Sequence, residues 1–440
     1  MASIVALTQK NCSLFRPLCL LVVNITIVFC SFTLIADGKQ QVPSAVIDDN
    51  SFLIINARVL TPSGVIPSTK IRVEKGLITG VGKTLALDSD LPVIDMDGKT
   101  VTPGLIDAHT HTYFEGQLFD SLRFGVTTQL DMSTGLDFAE EFREERDYIE
   151  ETDYADFYSA GAIVTSTGGH GTQFGSGKPT IDKPADAEAH IRDRIEEGSD
   201  WIKIAYEPGN PFLTSVDKPT LAALIAATHD QGLLAVVHVS KLSAARDAVE
   251  VGADGLVHIF ADRIVDDDLL DKMQAKGVFV IPTLSVIAGA EDAKNEKHWA
   301  IKKDGLLRLS RSQKTSLMSD FRPIPELRKF FKLDIAYQNI QKMRASDIPV
   351  LVGTDAPNPG TAHGVSIHDE LSHLVKAGFS ALEAMQAATL VPSQMFDLDG
   401  RGRIEVGMRA DMVVFDGKPD EVILDSRKVL RVFKNGYELK

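Results

Sequence analysis

His109 and His111 stand two residues apart at the end of Thr102-Pro103-Gly104-Leu105-Ile106-Asp107-Ala108-His109-Thr110-His111. Side chains at i and i+2 share a face only on extended backbone. The run before them, Val101 to Ile106, is apolar and turn-rich, and predicts a short buried strand. A strand ending in two imidazoles on one face offers a divalent transition metal two nitrogen ligands. Taken alone, such a pair also fits two loop histidines that only hydrogen-bond.

Four more residues repeat the pattern. Lys203 lies inside Trp201-Ile202-Lys203-Ile204, and His238 ends Val236-Val237-His238. His258 ends Leu256-Val257-His258, and Asp355 ends Val352-Gly353-Thr354-Asp355. A single strand histidine is ordinary in a core, and a strand-end aspartate is often a helix cap. A lysine inside an apolar strand is harder to place, because burying an ammonium costs several kcal/mol unless it is paired or neutralised. Six such groups at matching places point to one metal site.

The elements around them alternate. Eight strand candidates run Leu105 to His111, Val126 to Met132, Tyr158 to Ser166, Trp201 to Tyr206, Leu234 to Ser240, Gly255 to Phe260, Val278 to Leu284 and Pro349 to Asp355. Helical patterns at Ala185 to Glu197, Leu221 to Gln231, Ser243 to Val251, Asp266 to Lys276 and Leu333 to Ala345 separate most of them. Strand–helix alternation predicts parallel strands joined by crossover helices. The α/β class therefore follows, with a (β/α)8 TIM barrel over residues 103–399. Such a barrel gathers the C-terminal ends of its strands at one mouth. A doubly wound sheet is the alternative, but no Gly-rich phosphate loop follows any strand. The segment Ile287 to Pro325 is long and polar, and reads as a lid or a solvated helix pair.

Both ends of the chain are rich in short β patterns broken by Gly and Pro. They predict a small β-sandwich domain built from residues 50–102 plus 400–440. Residues 1–36 differ. Lys10 and Arg16 precede an apolar stretch from Leu18 to Ala36, the pattern of a secretory signal or an uncleaved membrane anchor, with a buried helix as a third reading. Export, or anchoring through this segment, is the expected localisation. All three cysteines, Cys12, Cys19 and Cys30, fall there, so the rest of the chain holds no disulfide, thiolate nucleophile or cysteine zinc site. The formal net charge of -15 argues against nucleic acid, because phosphate binding needs a positive surface. Membrane contact is expected only through the leader. The expected partners are a small-molecule substrate and further copies of the chain in a homo-oligomer.

The run from Thr102 to His111, with His238, His258 and Gly353-Thr354-Asp355 downstream, resembles the amidohydrolase superfamily of metal-dependent hydrolases. The resemblance extends from about Phe52 to the C-terminus and includes Gly402 to Val414, which looks like that family's return into its small β domain. Within it the chain is similar to the imidazolonepropionase-like branch that holds prolidase-type and Xaa-Arg dipeptidases. The resemblance implies two divalent ions, zinc first among them. His109, His111 and Asp355 would hold one, and His238 and His258 the other. Lys203, carboxylated by CO2, would bridge both. Burial lowers a lysine's pKa, and a neutral amine can add CO2 to become an anionic bidentate ligand. Without the carbamate a single ion on His109, His111, His238 and Asp355 is the alternative.

The implied reaction is hydrolysis of an amide, cyclic amide, dipeptide or N-acyl amino acid by metal-activated water, with Asp355 carrying the proton to the leaving amine. His170, in Gly168-Gly169-His170-Gly171-Thr172, is a candidate donor to the oxyanion, and Tyr206 a candidate substrate contact. The chain departs from the branch at Ala205-Tyr206-Glu207-Pro208-Gly209, where its dipeptidases often carry a Gly-rich stretch. An ester, lactone or phosphotriester substrate is the second reading. A non-catalytic scaffold is the third, and the complete ligand set speaks against it. His363 and His368 follow the eighth strand and are given no role.

Overall fold

The computed structural model describes residues 50–440 apart from 88–89, 175–178, 292–297 and 320–331. The leader 1–36, with its three cysteines, lies outside the described residues. Among the described residues no helix is long and apolar enough to cross a membrane.

The fold is α/β. Its first five strands are β1 (Phe52–Thr61), β2 (Gly64–Glu74), β3 (Leu77–Gly82), β4 (Val93–Asp95) and β5 (Thr100–Pro103). Seven short strands follow: β6 (Leu105–Thr110), β7 (Val126–Asp131), β8 (Asp156–Ser159), β9 (Ile202–Ala205), β10 (Ala235–His238), β11 (Gly255–Val257) and β12 (Phe279–Ile281). The chain closes with β13 (Met412–Phe415), β14 (Val429–Lys434) and β15 (Tyr437–Glu438).

Among the described residues, the first five strands and the last three are hydrogen-bonded together. They share one eight-stranded sheet in the order β15-β14-β13-β5-β1-β2-β3, with β4 beside β1. The junction is β5, parallel to β1 and antiparallel to β13. Alternation along these strands sends Phe52, Ile54, Ile71, Val73, Val101, Met412, Val414 and Phe433 into a core of their own. A buried ion network ties this sheet to β8. Asp156 pairs with Arg401 at 2.6 Å and with Lys434 at 3.0 Å, and Lys434 also reaches Asp411 at 2.9 Å.

The seven middle strands are all parallel, in the orders β6-β7-β8 and β9-β10-β11-β12. Single parallel bridges join Val164 to Ile204, Val280 to Val350 and Thr110 to Ala356. The helices fall where periodicity placed them, at Ala187–Glu196, Lys218–Asp230, Leu242–Val251, Asp267–Lys276 and Leu333–Ala345. Local chemistry sets their ends. Asp217 accepts from the Thr220 amide and Asp266 from the Leu269 amide, each capping a first turn. Gly277, at φ 68°, ends Asp267–Lys276 in the left-handed conformation.

Two strand expectations need correction. The third strand is Asp156–Ser159, not Tyr158 to Ser166, because Gly161 at φ 64° turns the chain. The eighth segment forms no regular strand; it carries isolated bridges at Val350 and Ala356, and Val352 O accepts from Ala108 N at 2.9 Å. In the polar segment after β12, helix Arg311–Met318 starts at a Ser310–Gln313 capping box. Asp369 accepts hydrogen bonds from Trp299 Nε1 at 2.7 Å and His298 Nε2 at 2.6 Å, which fixes that segment to helix Ile367–Lys376.

Two buried histidines should make the fold acid-sensitive. Burial pushes the imidazole of His363 down to about 3 and that of His368 down to about 4. The unfolded chain takes up these protons below about 6.5, so their stability is complete above that pH and is lost as pH falls towards 4. Each histidine contributes a slope of up to about 1.4 kcal/mol per pH unit there. Urea unfolding at pH 7, 6 and 5 should show a falling midpoint; one that stays constant would contradict these burials.

Candidate metal centre

The end of β6 and the eighth segment come together by backbone pairing. Asp355 N donates to His109 O at 2.7 Å, and His111 N donates to Ala356 O at 2.7 Å. Buried Asp107 reinforces the join: Oδ1 accepts from Thr354 N at 2.9 Å and Oδ2 from Thr354 Oγ1 at 2.7 Å. Gly353 permits it, since a Cβ there would sit 2.4 Å from Ile281 Cγ2 and 2.8 Å from His109 Cβ.

That approach makes a three-atom cluster. His109 Nε2 and His111 Nε2 lie 3.4 Å apart, and Asp355 Oδ1 lies 3.3 Å from the first and 3.2 Å from the second. A tetrahedral ion with ligand bonds of about 2.0–2.1 Å has ligand–ligand edges of about 3.3–3.4 Å. The three separations match. Asp355 Oδ1 is buried and accepts no hydrogen bond among the described residues. An unsatisfied carboxylate oxygen facing two imidazole nitrogens is costly unless a cation completes it. His111 Nδ1, 3.1 Å from Ser133 O, donates there and leaves Nε2 for the cluster. The residues therefore fit a divalent metal.

His258 and His238 stand beside this face. The His258 ring is 5.1 Å from that of His109 and 4.5 Å from that of His238, centroid to centroid. Thr283 Oγ1 holds His258 Nδ1 at 2.6 Å. Lys203 is buried on β9, in register with Val236 of β10. His258 and Asp355 adopt φ values of 61° and 56°, a left-handed conformation that costs a non-glycine residue about 1–3 kcal/mol. Such strain concentrates at functional sites.

The electrostatics suit coordination. Burial holds His109 and His258 well below the ordinary imidazole value, and lowers His238 to about 4. All three are thus neutral at pH 7, the form that binds metal. Burial alone would raise Asp355, but His111, His258 and Lys203 outweigh it and hold the carboxyl at about 2. Asp355 is therefore an anion across the neutral range.

His170 is brought to the same place, its ring 4.2 Å from that of His238. Tyr206 is not. Its hydroxyl donates to Asp247 Oδ2 at 2.9 Å, and its ring packs with Ile202 and Ile204 in the core behind the strand. The expectation of a substrate contact there is corrected by the period of two: Ile202, Ile204 and Tyr206 share one face, Lys203, Ala205 and Glu207 the other. The same alternation identifies a residue that sequence reasoning passed over. Glu207 is buried against His170 and His238. Asp107 and Thr283 were missed too, and only the fold reveals their partners.

The model of the amidohydrolase family matches residues 100–439, well over half of the chain. The chain belongs to the amidohydrolase family. The dihydroorotase of Trichlorobacter lovleyi is 44% identical over 62 residues, 14% of this chain and 15% of the relative. The urease subunit alpha of Sulfurisphaera tokodaii is 32% identical over 110 residues, 22% of this chain and 20% of the relative. The aligned stretches thus span under a quarter of these curated relatives. A Xaa-Pro dipeptidase structure superposes with a TM-score of 0.72 at 21% identity, covering 89% of this chain and all of that one. The A. niger ochratoxinase gives 0.67 at 19% identity, covering 88% and 95%. These structures share the amidohydrolase fold with the chain. The six expected positions, His109, His111, Lys203, His238, His258 and Asp355, lie on or beside the parallel strands of that fold.

Proposed function

We propose that this amidohydrolase is a metal-dependent hydrolase of carbon–nitrogen bonds. The observation that carries it is the trio of His109 Nε2, His111 Nε2 and Asp355 Oδ1, spaced 3.2 to 3.4 Å apart with the carboxylate oxygen otherwise unsatisfied. The short parallel strands, with their three linking bridges, would close as a (β/α)8 barrel over residues 103–399. The eight-stranded sheet of 50–102 and 400–440 would fold over its own core as the small β-sandwich. A barrel with these boundaries would bring the ligand-bearing strand ends to one mouth.

His109, His111 and Asp355 would hold one ion, with zinc first choice for two imidazoles and a carboxylate. His238 and His258 would hold a second, with a CO2-derived carbamate on Lys203 between them. Bound there, a divalent ion supplies Lewis acidity that polarises a carbonyl and makes water nucleophilic near pH 7. The chain's own residues do the rest. Asp355, ionised at neutral pH, accepts the water proton and returns it to the leaving nitrogen. His170, on a glycine-flanked loop beside His238, donates to the carbonyl oxygen as charge develops.

The substrate class is a small amide: a dipeptide, an N-acyl amino acid or a cyclic amide. The acidic chain, exported or anchored by its leader, would work as a homo-oligomer on such small molecules. Metal removal tests the reading. Protein dialysed against a chelator should lose at least 99% of its activity on a panel of dipeptides, N-acyl amino acids and lactones, and recover it with zinc. Fewer than one divalent ion per chain after reloading, with no hydrolysis of any panel member, would sink the proposal. Hydrolysis of lactones alone would move it to ester chemistry.

A further inference from the structure

His170, Glu207 and His238 form a second cluster beside the first. Glu207 Oε2 lies 3.2 Å from His170 Nδ1, and Oε1 lies 3.4 Å from His238 Nε2. One nitrogen or oxygen from each residue lies within 4.8 Å of the other two. The side chains of Glu207 and His238 are 9% and 7% exposed, so the carboxylate is largely shielded from water. Asn210 Nδ2 donates to Glu207 Oε2 at 3.3 Å, which steadies that oxygen. Gly169 pairs with Thr214 across a parallel bridge and anchors the loop that carries His170.

A hydrogen-bonded pair accounts for the cluster only in part. Charge-assisted N–H···O bonds run at about 2.7–2.9 Å. The separation of 3.4 Å between His238 Nε2 and Glu207 Oε1 is long for that. It equals the spacing of two ligands on one four-coordinate ion, about 3.3–3.4 Å. The first cluster shows spacings of 3.2 to 3.4 Å, there from one carboxylate oxygen to both nitrogens, whereas each oxygen of Glu207 faces one imidazole. Two imidazoles and one carboxylate, with positions left open for water, are a recurrent donor set for divalent first-row transition metals.

We propose that His170, Glu207 and His238 hold a divalent transition-metal ion, giving the centre a second seat that needs no CO2. This rests on the metal-dependent reading above. The seat shares His238 with the one built from His258 and the Lys203 carbamate, so the two are alternatives. They differ in the source of the anion. A carbamate forms when the neutral lysine amine adds to CO2, making one N–C bond and releasing one proton, and it reverts when CO2 is removed. The carboxylate of Glu207 is permanent.

The test is metal counting in the presence and absence of bicarbonate. Full-length protein is stripped with a chelator, moved to CO2-free buffer, reloaded with Co2+, and analysed for metal content and visible absorption. Wild type should hold two ions per chain without bicarbonate. Glu207→Gln should hold one, and regain the second when bicarbonate is added. His170→Ala, a change on a loop, should show the same loss, and circular dichroism checks that both variants fold. Equal metal content in wild type and Glu207→Gln without bicarbonate, whether one ion or two, overturns the proposal. Wild type that binds no ion in either buffer overturns the metal-dependent reading itself, a result distinct from the first.

Discussion

Replacing Asp355 by Asn should lower turnover by about 10²- to 10⁴-fold, the range for loss of a general acid–base. The substitution keeps the side-chain volume and one oxygen. It removes the negative charge and the capacity to accept a proton. Asp355 is also a ligand of the first ion, so the variant is assayed with zinc in excess; at metal content equal to wild type, kcat should fall far more than KM changes. That split is informative: a group that acts only in the transition state lowers kcat and kcat/KM together. The fold should survive, because the backbone N–H of Asp355 still donates to His109 O, and Asp107 still accepts from Thr354. Steady-state kinetics on the best amide of the panel, with metal analysis of the same sample, decides it. A variant with near-normal kcat would remove Asp355 as the proton carrier.

Much of this centre was legible in the chain because strands carry a simple code. His109 and His111 share a face at i, i+2, and His238, His258 and Asp355 each terminate an apolar run. The same rule applied to Ile202 through Glu207 would have separated Lys203 and Glu207 from Tyr206. Tyr206 draws notice only by its nearness in sequence to Lys203. Nearness along a strand is misleading, because neighbours point to opposite faces. Asp107 was invisible for another reason. It is a buried carboxyl raised to about 7 by burial, and it serves Thr354, a residue far off in sequence. Nothing local marks such a pairing. The eighth segment reads as a regular strand because its apolar pattern, Val350 to Val352, is strand-like. There the chain forms isolated bridges at Val350 and Ala356, on either side of the left-handed turn at Asp355, instead of a continuous ladder.

The glycines divide in the same way. Gly277 was readable as a helix stop. Gly353 was readable only as part of a motif, and its physical role appears once Ile281 and His109 are seen pressing on the space where a Cβ would be. A larger residue there would push the eighth segment away from β6, and the oxygen–nitrogen separations of the first cluster depend on that approach. The trio of His109, His111 and Asp355 and the close backbone packing are therefore one feature, set by Asp107, Gly353 and Thr354 together.

The largest stability effect should come from Asp156→Ala, far from any ligand. Asp156 sits on β8, 5% exposed, between Arg401 Nε at 2.6 Å and Lys434 Nζ at 3.0 Å. Removing it leaves the guanidinium of Arg401, 4% exposed, facing a void where a carboxylate stood. Breaking a buried pair from one side costs about 3–5 kcal/mol, because the remaining charge stays desolvated. Lys434 keeps Asp411 at 2.9 Å, so the penalty falls mainly on Arg401. An exposed pair gives the contrast. Arg344 and Glu383 are 2.8 Å apart but 40% and 38% exposed, and Arg344→Ala should cost under about 1 kcal/mol. Denaturant unfolding of the two variants should differ by several-fold in the free energy lost. The double variant Asp156→Leu with Arg401→Met removes both charges and fills the space with apolar volume. It should recover most of the loss, since apolar replacement of a buried pair is close to neutral. If the double variant is as unstable as Asp156→Ala, packing rather than charge holds β8 to the end sheet.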